Sequence, residues 1–455
     1  MAASDPAIIN HVAIVGGGFS GALQAVNLLR HEGPRATLIE ARPNAGRGVA
    51  YSAAHPDHLL NVRANNMSAL PDDPTHFARW LEAHGHDPAG FAPRLVFGDY
   101  LASILADARI AAPQRLSVLN DRACDLIVSE SGVEIVLASG GRIGADAAIL
   151  AVGNLPPHIP GGIEPDALPL GVFVGEPWGE DPAIGLDSRD TIVVVGSGLT
   201  MIDVVLLLEA RGFTGKIVAL SRRGLLPRVH TDTVMPPPLP TRPRPNAVGL
   251  LRHIRARADA VGWRPAVDEL RPFTQDLWTG ADTPERSRFL RHLRPWWDVH
   301  RHRIAPQIAA RIAAMQAEGR LEVIAGKIVG TETAGDRGRL LYRPRGTDRI
   351  VRIDTARIVN ATGPQGDVLR SEDPLLKAML ARGTIRPDPI RIGIDVTAQS
   401  EVIDAEGRAQ RRLLALGPMT RGTFWEIVAV PDIRRQTWSV ARRLSNAHWV
   451  GGEGL

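Results

Sequence analysis

The chain has 455 residues, enough for two or three domains with a sizeable core. Apolar residues make up 44% and charged residues 22%, ordinary for a globular protein, and a formal net charge of +4 gives no large nucleic-acid footprint. Cys124, the single cysteine, excludes an internal disulfide and a Cys-x-x-Cys redox pair and fits a reducing compartment. The strand pattern begins by residue 12 with no charged-then-apolar leader. No apolar run reaches the roughly 18 residues of a membrane span. A soluble, cytoplasmic protein is expected, without a nucleic-acid or membrane partner.

In chain order, His11–Val15 reads as a short buried strand. Gly16, Gly18 and Gly21 follow as G-x-G-x-x-G, and Ala22–Leu29 continues with a helical apolar pattern. The first glycine allows the tight turn, the second lets backbone approach a pyrophosphate, and the third lets helix and strand pack closely. The free N–H groups of the helix start, including those of Phe19 and Ser20, favour phosphate. RATLIEARP then gives a second strand ending at Glu40, where an acid that accepts from a ribose is expected. Strand, glycines, helix, strand and acid together make a strong dinucleotide signal.

TIVVVGSGLTMID, residues 191–203, repeats the opening. Gly196, Gly198, Leu199 and Thr200 take the phosphate-facing positions, with Met201 in place of the third glycine. The next strand, KIVALSRRG, ends in Ser221, Arg222 and Arg223. Arginine there favours a 2′-phosphate over a free ribose hydroxyl, so this site should prefer NADPH. The competing reading makes the two arginines solvated loop charges. Each half later holds a buried strand ending at a glycine: DAAILAVGN near Gly153 and ARIVNATGP near Gly363.

Between the openings and these strands, TVMPPPLPTRPRP (233–245) is too rich in proline for a helix or central strand and reads as a linker. Asn246 reads as an N-cap, Gly262 as a helix stop, and Asp282-Thr283-Pro284 as a second helix start, with breaks at Pro295 and Pro306. The stretch is rich in Arg and Trp, most densely in RFLRHLRPWWDVHRHR (288–303), and its acids point to a salt-bridged helical insertion. His300 and His302 fall on different helix faces, so no metal is expected. The GGEGL end reads as a frayed tail.

Two such openings followed by a returning C-terminal segment resemble the two-dinucleotide flavoproteins. The fold class expected is therefore α/β, with two Rossmann-like dinucleotide-binding domains and a helical insertion. A discontinuous FAD domain would span 1–155 plus 355–455. An NADPH domain would span 185–354, with the linker and insertion at 233–320. GRGVAYS (46–52), LLNVRANNMS (59–68), SRRGLLPRVH (221–230), RFLRHLRPWWDVHRHR and ALGPMTRGTFWEIVAVPDIRRQ (415–436) are similar to blocks of the FAD–NAD(P)-binding family of NAD(FAD)-dependent dehydrogenases. That family in turn resembles class B flavin monooxygenases, N-hydroxylating enzymes among them.

The resemblance implies FAD in the first domain, NADPH in the second, and hydroxylation of a small polar, nitrogen-containing molecule by oxygen through a flavin C4a-peroxide. It places Arg47, Asn61, Gly153, Gly363, Gly417 and Asp432 at the FAD, with Asp432 capping a helix over Ile433–Leu444. Arg421, Trp425 and Glu426 fall on the substrate side as catalytic candidates. An anion contact and a stacking surface compete there with an ordinary salt bridge and a core aromatic. VFVGEPWGED (172–181) keeps Trp178 but lacks the histidine of the Baeyer–Villiger fingerprint. The alternatives are a flavin reductase or dehydrogenase without oxygen insertion, and a flavin-containing binding or regulatory protein.

Overall fold

The computed structural model describes residues 9–52, 55–231, 242–244 and 246–445. Most of the Pro-rich stretch 233–245 and the GGEGL end lie outside the described residues. The chain divides into two compact units. The first comprises Met1–Ser52, Arg63–Leu155 and Gly366–Leu455; the second comprises Ala53–Val62 and Pro156–Gln365.

The first unit is built on a six-stranded sheet in the order Glu401–Ile403, Ala409–Ala415, Ala147–Leu150, His11–Val15, Arg35–Glu40, Leu116–Asn120. His11–Val15 lies at its centre, parallel to Arg35–Glu40 on one side and Ala147–Leu150 on the other. Val12, Ala13 and Ile14 are wholly buried, as a parallel strand covered on both faces requires. The Phe19–Arg30 helix is buried from Phe19 through Leu28 because it is packed on more than one side. It lies against the sheet and against the Val430–Leu444 helix, where Asn27 Nδ2 donates to Thr437 Oγ1 at 3.2 Å. A three-stranded antiparallel sheet, Ala123–Val128, Val133–Leu137 and Arg142–Ala145, shares a core with Leu375, Met379 and Ile394.

The second unit holds a seven-stranded sheet in the order Val351–Thr355, Arg337–Pro344, Leu321–Ala334, Lys216–Ser221, Thr191–Val195, Arg357–Asn360, Phe173–Val174. Thr191–Val195 is parallel to both Lys216–Ser221 and Arg357–Asn360, so the centre repeats the first unit's arrangement. Between Lys216–Ser221 and Leu321–Ala334 runs a series of helices. Asn246 caps the Ala247–Val261 helix by accepting from Gly249 N at 2.7 Å, and Gly262 ends it at φ +85°. Asp282 caps Thr283–His292 by accepting from Glu285 N at 2.8 Å.

The unit boundaries differ from the sequence reading in three places. The first unit resumes at 366 instead of 355, because Arg357–Asn360 pairs with Thr191–Val195 and belongs to the second sheet. Residues 156–184 join the second unit through Phe173–Val174, which pairs with Arg357–Asn360. Residues 53–62 also group with the second unit. There the buried His58 accepts at Nδ1 from His55 N (3.0 Å) and donates from Nε2 to the Asp203 carbonyl (2.9 Å). A fourth difference is local. The C-terminal helix starts at Val430 with Ala429 as N-cap, so Asp432 is in the first turn and is not the cap. Pro431 at an early helical position moves the start forward.

Two candidate dinucleotide sites

At the first opening, Gly16 N donates to the Ile39 carbonyl at 2.8 Å, which closes the turn at φ +101°. A Cβ on Gly16 would lie 2.4 Å from the Ala151 carbonyl oxygen, and one on Gly21 would lie 1.8 Å from that of Gly16. Both glycines are therefore demanded by the protein itself. Gly18 differs: the nearest atom to its Cβ would be Gly48 Cα at 3.4 Å, an ordinary contact. A side chain fits there, so the fold itself does not require glycine at position 18. Phe19 and Ser20 begin the helix directly after it, with no side-chain cap on the free N–H groups.

Glu40 is fixed beside this turn. Its Oε2 accepts from Gly17 N at 2.7 Å and its Oε1 from Arg42 N at 2.9 Å. Each oxygen keeps acceptor capacity for a ribose hydroxyl. Gly46 N donates to the Gly17 carbonyl at 2.7 Å, which lays the Gly46-Arg47-Gly48 segment against the opening. The Arg47 guanidinium turns to Asp99 at 2.6 Å. Gly153, at φ +73°, follows the neighbouring strand in open space.

The C-terminal segment completes this half. Gly417, at φ +73°, passes so close to the first helical turn that a Cβ would lie 2.4 Å from Ser20 Oγ. Gln436 holds it there: Gly417 N donates to Gln436 Oε1 at 2.8 Å, and Gln436 Nε2 donates to Thr420 Oγ1 and Ser400 Oγ, each at 3.2 Å. Thus Ser20, Gly417 and Asp432 belong to one assembly of two helices and a turn.

At the second opening, Gly196 N donates to the Leu220 carbonyl at 2.8 Å, and a Cβ on Gly196 would lie 2.3 Å from the Ala361 carbonyl oxygen. The parallel with Gly16, Ile39 and Ala151 is position for position. A Cβ on Gly198 would meet nothing within 4 Å, and Leu199 and Thr200 begin the helix after it. Met201 is fully buried where the first opening has Gly21. Ser221 Oγ accepts from Gly224 N at 3.0 Å and lies 2.8 Å from Ser197 Oγ, so the strand end and its loop are tied to the turn. Arg222 is exposed and Arg223 half-buried. No acidic side chain among the described residues pairs with either. Gly363, placed by the sequence reading at the FAD, lies in the second unit, two residues past Ala361. Asn61 also lies there, its carbonyl accepting from His230 Nε2 at 2.9 Å.

The catalytic candidates fall together in the first unit. The Arg421 guanidinium stands over the Trp425 ring, 4.5 Å from its centroid, and Trp425 and Glu426 are buried, at 3% and 5% exposure. Sequence reasoning passed over Asp388, which backs this segment. It is 2% exposed and accepts from Ile390 N (3.0 Å) and Ile392 N (2.6 Å). A Cβ on Gly422 would lie 2.5 Å from its Cγ. Burial pushes the Asp388 carboxyl above the usual range, and the backbone donors oppose that shift. The Asp388-Pro389 dipeptide was the available signal, a turn former ahead of a glycine. Among the described residues, no group of three or more His, Cys, Asp or Glu side chains is placed to hold a metal, and no helix is long and apolar enough to cross a membrane.

Residues 13–155 match the family described as FAD-NAD(P)-binding. The solved structures that resemble the chain extend much further. The fold is that of the two-dinucleotide flavoproteins. An ornithine N-hydroxylase from Kutzneria sp. 744 matches with a TM-score of 0.64 at 15% identity, over 96% of this chain and 99% of its own. The ornithine hydroxylase of Pseudomonas aeruginosa matches with a TM-score of 0.66 at 13% identity, over the same shares. An FAD-bound cadaverine monooxygenase from Erwinia amylovora matches with a TM-score of 0.64 at 13% identity, over 97% of this chain and 95% of its own. No curated protein sequence matches.

Proposed function

We propose that this chain is an FAD-dependent, NADPH-using oxidoreductase that hydroxylates a small polar amine. The observation that carries the reading is the pair of openings with opposite second-strand ends: Glu40 at one, Ser221-Arg222-Arg223 at the other. An acid that accepts from ribose and a pair of arginines that hold a 2′-phosphate call for two different dinucleotides. Bound FAD and NADPH would supply the redox chemistry, a hydride from NADPH reducing the flavin, which would then pass electrons to oxygen.

The protein's own residues bind and orient. The free N–H groups at Phe19 and Ser20 take the FAD pyrophosphate, and those at Leu199 and Thr200 the NADPH pyrophosphate. Glu40 accepts from the adenosine ribose of FAD. The N-terminus of the Val430–Leu444 helix, held next to Ser20 through Gln436 and Gly417, supplies positive dipole to negative charge on the reduced ring. Arg421 faces an anionic or polar group of the substrate. Cys124, the single cysteine, leaves no dithiol pair to relay electrons. The balanced reaction converts amine, NADPH, a proton and O₂ to hydroxylamine, NADP⁺ and water.

Amines are the class to test first, because several of the solved structures that share the fold across nearly the whole chain are named for ornithine, lysine and cadaverine, although a bacillithiol disulfide reductase shares it too. A second reading, a reductase without oxygen insertion, is favoured by the missing histidine in VFVGEPWGED. Turnover of an amine panel under ¹⁸O₂ separates the two. Label in the product supports hydroxylation; unlabelled product with stoichiometric hydrogen peroxide supports the reductase.

A further inference from the structure

Some arginines of the Arg- and Trp-rich insertion have carboxylate partners: Arg257 holds Glu269, and Arg294 holds Asp298. Around Trp263 the cations gather on one ring. Trp263 carries the guanidinium of Arg264 on its ring, 4.4 Å from the centroid, and that of Arg303 at 5.1 Å. The His300 ring meets Trp263 edge-on at 4.8 Å. Arg303 is fully employed: it grips Asp268 with both terminal nitrogens at 2.9 Å and donates from Nε to the His300 carbonyl at 2.8 Å. Asp268, the carboxylate of this cluster, is thereby used up.

Arg264 has only long contacts to the Val229 carbonyl, 3.3 and 3.4 Å. Arg228 precedes Val229, and its N–H donates to the Val299 carbonyl at 2.9 Å, which brings it beside His300. The Arg228 side chain is exposed, and none of the described acidic residues pairs with it. His300 Nδ1 donates to the Trp296 carbonyl at 2.7 Å, so Nε2 is its second polar atom. Burial and the charges of Arg228 and Arg303 hold the His300 imidazole below its ordinary range. Burial, Arg303 and Arg228 lower Arg264 likewise. Two guanidinium groups and a histidine on one indole, a third arginine beside them and a single carboxylate already committed leave an excess of positive potential that a bound anion would relieve.

We propose that Arg264 and His300, both packed on Trp263, form with the neighbouring Arg228 a binding site for an oxyanion, the carboxylate or phosphate of a small molecule. Arg228 supplies an exposed fork for bidentate contact, Arg264 a partly desolvated charge, and Trp263 the flat wall that orients Arg264. Because the reading above gives the 2′-phosphate of NADPH to Arg222 and Arg223, the oxyanion here is the acid group of another ligand. The site itself does not depend on that reading.

The test uses the full-length protein and inorganic phosphate at constant ionic strength, read by calorimetric titration and by the thermal midpoint. Arg228→Ala should weaken phosphate binding about tenfold or more, as loss of a charge-assisted contact does, with the phosphate-free midpoint unchanged because the side chain is exposed. Arg228→Lys should fall between the two. Arg222→Ala with Arg223→Ala should leave this binding within about twofold, since those residues lie at the strand end beside the second opening and not in the Trp263 cluster. Arg228→Ala should leave the KM for NADPH and for NADH unchanged, as a site for another anion requires; a rise for NADPH alone would overturn that assignment. Phosphate binding that is absent, equal in Arg228→Ala, or abolished by the Arg222/Arg223 pair overturns the proposal, whether or not the protein proves to be a flavoenzyme.

Discussion

The two openings share a backbone and differ in what surrounds it. In each, the first glycine closes onto the preceding strand's neighbour, Ala151 at one and Ala361 at the other, and the second glycine leaves space that the protein does not use. At the third position they part. Gly21 is pressed against the Gly16 carbonyl, whereas Met201 is buried in the same place. The first opening is also walled in by Gly46-Arg47-Gly48 and by Gly417, while Gly198 faces nothing within 4 Å. Crowding of this kind suits a cofactor that stays, and openness suits one that comes and goes. Glycines that the fold needs can thus be told from glycines that a ligand needs.

The largest expected effect breaks the comparison at its tightest point. Gly21→Ala should destabilise the first unit by about 3 kcal/mol, the upper end of ordinary overpacking, because the obstacle is backbone. Gly198→Ala should cost less than about 0.5 kcal/mol, as an unobstructed surface change does. It should nevertheless raise the KM for NADPH. Urea denaturation of the two variants checks this; equal stabilities would mean that the two turns are not crowded differently.

Next comes Glu40→Arg. It removes the acceptor that holds Gly17 N and puts a donor-only group where the ribose hydroxyls must be received. Purified variant should contain little FAD by absorbance, with NADPH affinity unchanged. Retention of full flavin would remove Glu40 from the site. Arg222→Ala with Arg223→Ala should lower kcat/KM for NADPH roughly tenfold or more, through KM, and leave NADH unaffected, since a charge-assisted contact is worth about 1.5–3 kcal/mol. An equal loss with both nucleotides would show the arginines acting on something other than the 2′-phosphate.

The smallest effect is a pH dependence confined to the first unit. Asp388 is raised when folded, so the folded state holds its proton more tightly than the unfolded chain. Its stabilising contribution is present below the unfolded value and is lost as pH rises through the folded one. Asp388→Asn should therefore flatten the decline in urea midpoint as pH rises above the ordinary carboxylate range. An unchanged slope would mean that Asp388 stays ionised throughout.

Both openings were legible in the sequence because they are local: strand, glycines, helix and strand follow one another within some thirty residues. The same holds for the caps at Asn246 and Asp282, where side chain and recipient N–H are three residues apart. What was missed is non-local. The return to the first unit was put at 355 because ARIVNATGP looks like DAAILAVGN, and it does so because each strand closes its own sheet beside its own opening. Pairing partners far along the chain decide that, and no local pattern shows them. Residues 53–62 look like a loop of the first unit until His58, Asp57 and Asn61 find Asp203, Arg311 and His230. Asp388 and Gly422, which touch across more than thirty positions, were likewise invisible. Asp432 was misread by three residues because Pro431 starts a helix as readily as an aspartate caps one.

The central claim is that two different dinucleotides meet on this chain, and it is tested most directly by mixing the purified protein with NADPH in the absence of oxygen. The protein should be yellow, release FAD and not FMN on denaturation, and bleach on addition of NADPH at concentrations where NADH acts roughly tenfold more slowly, as the arginine contact requires. A colourless protein that takes up no FAD would contradict the account.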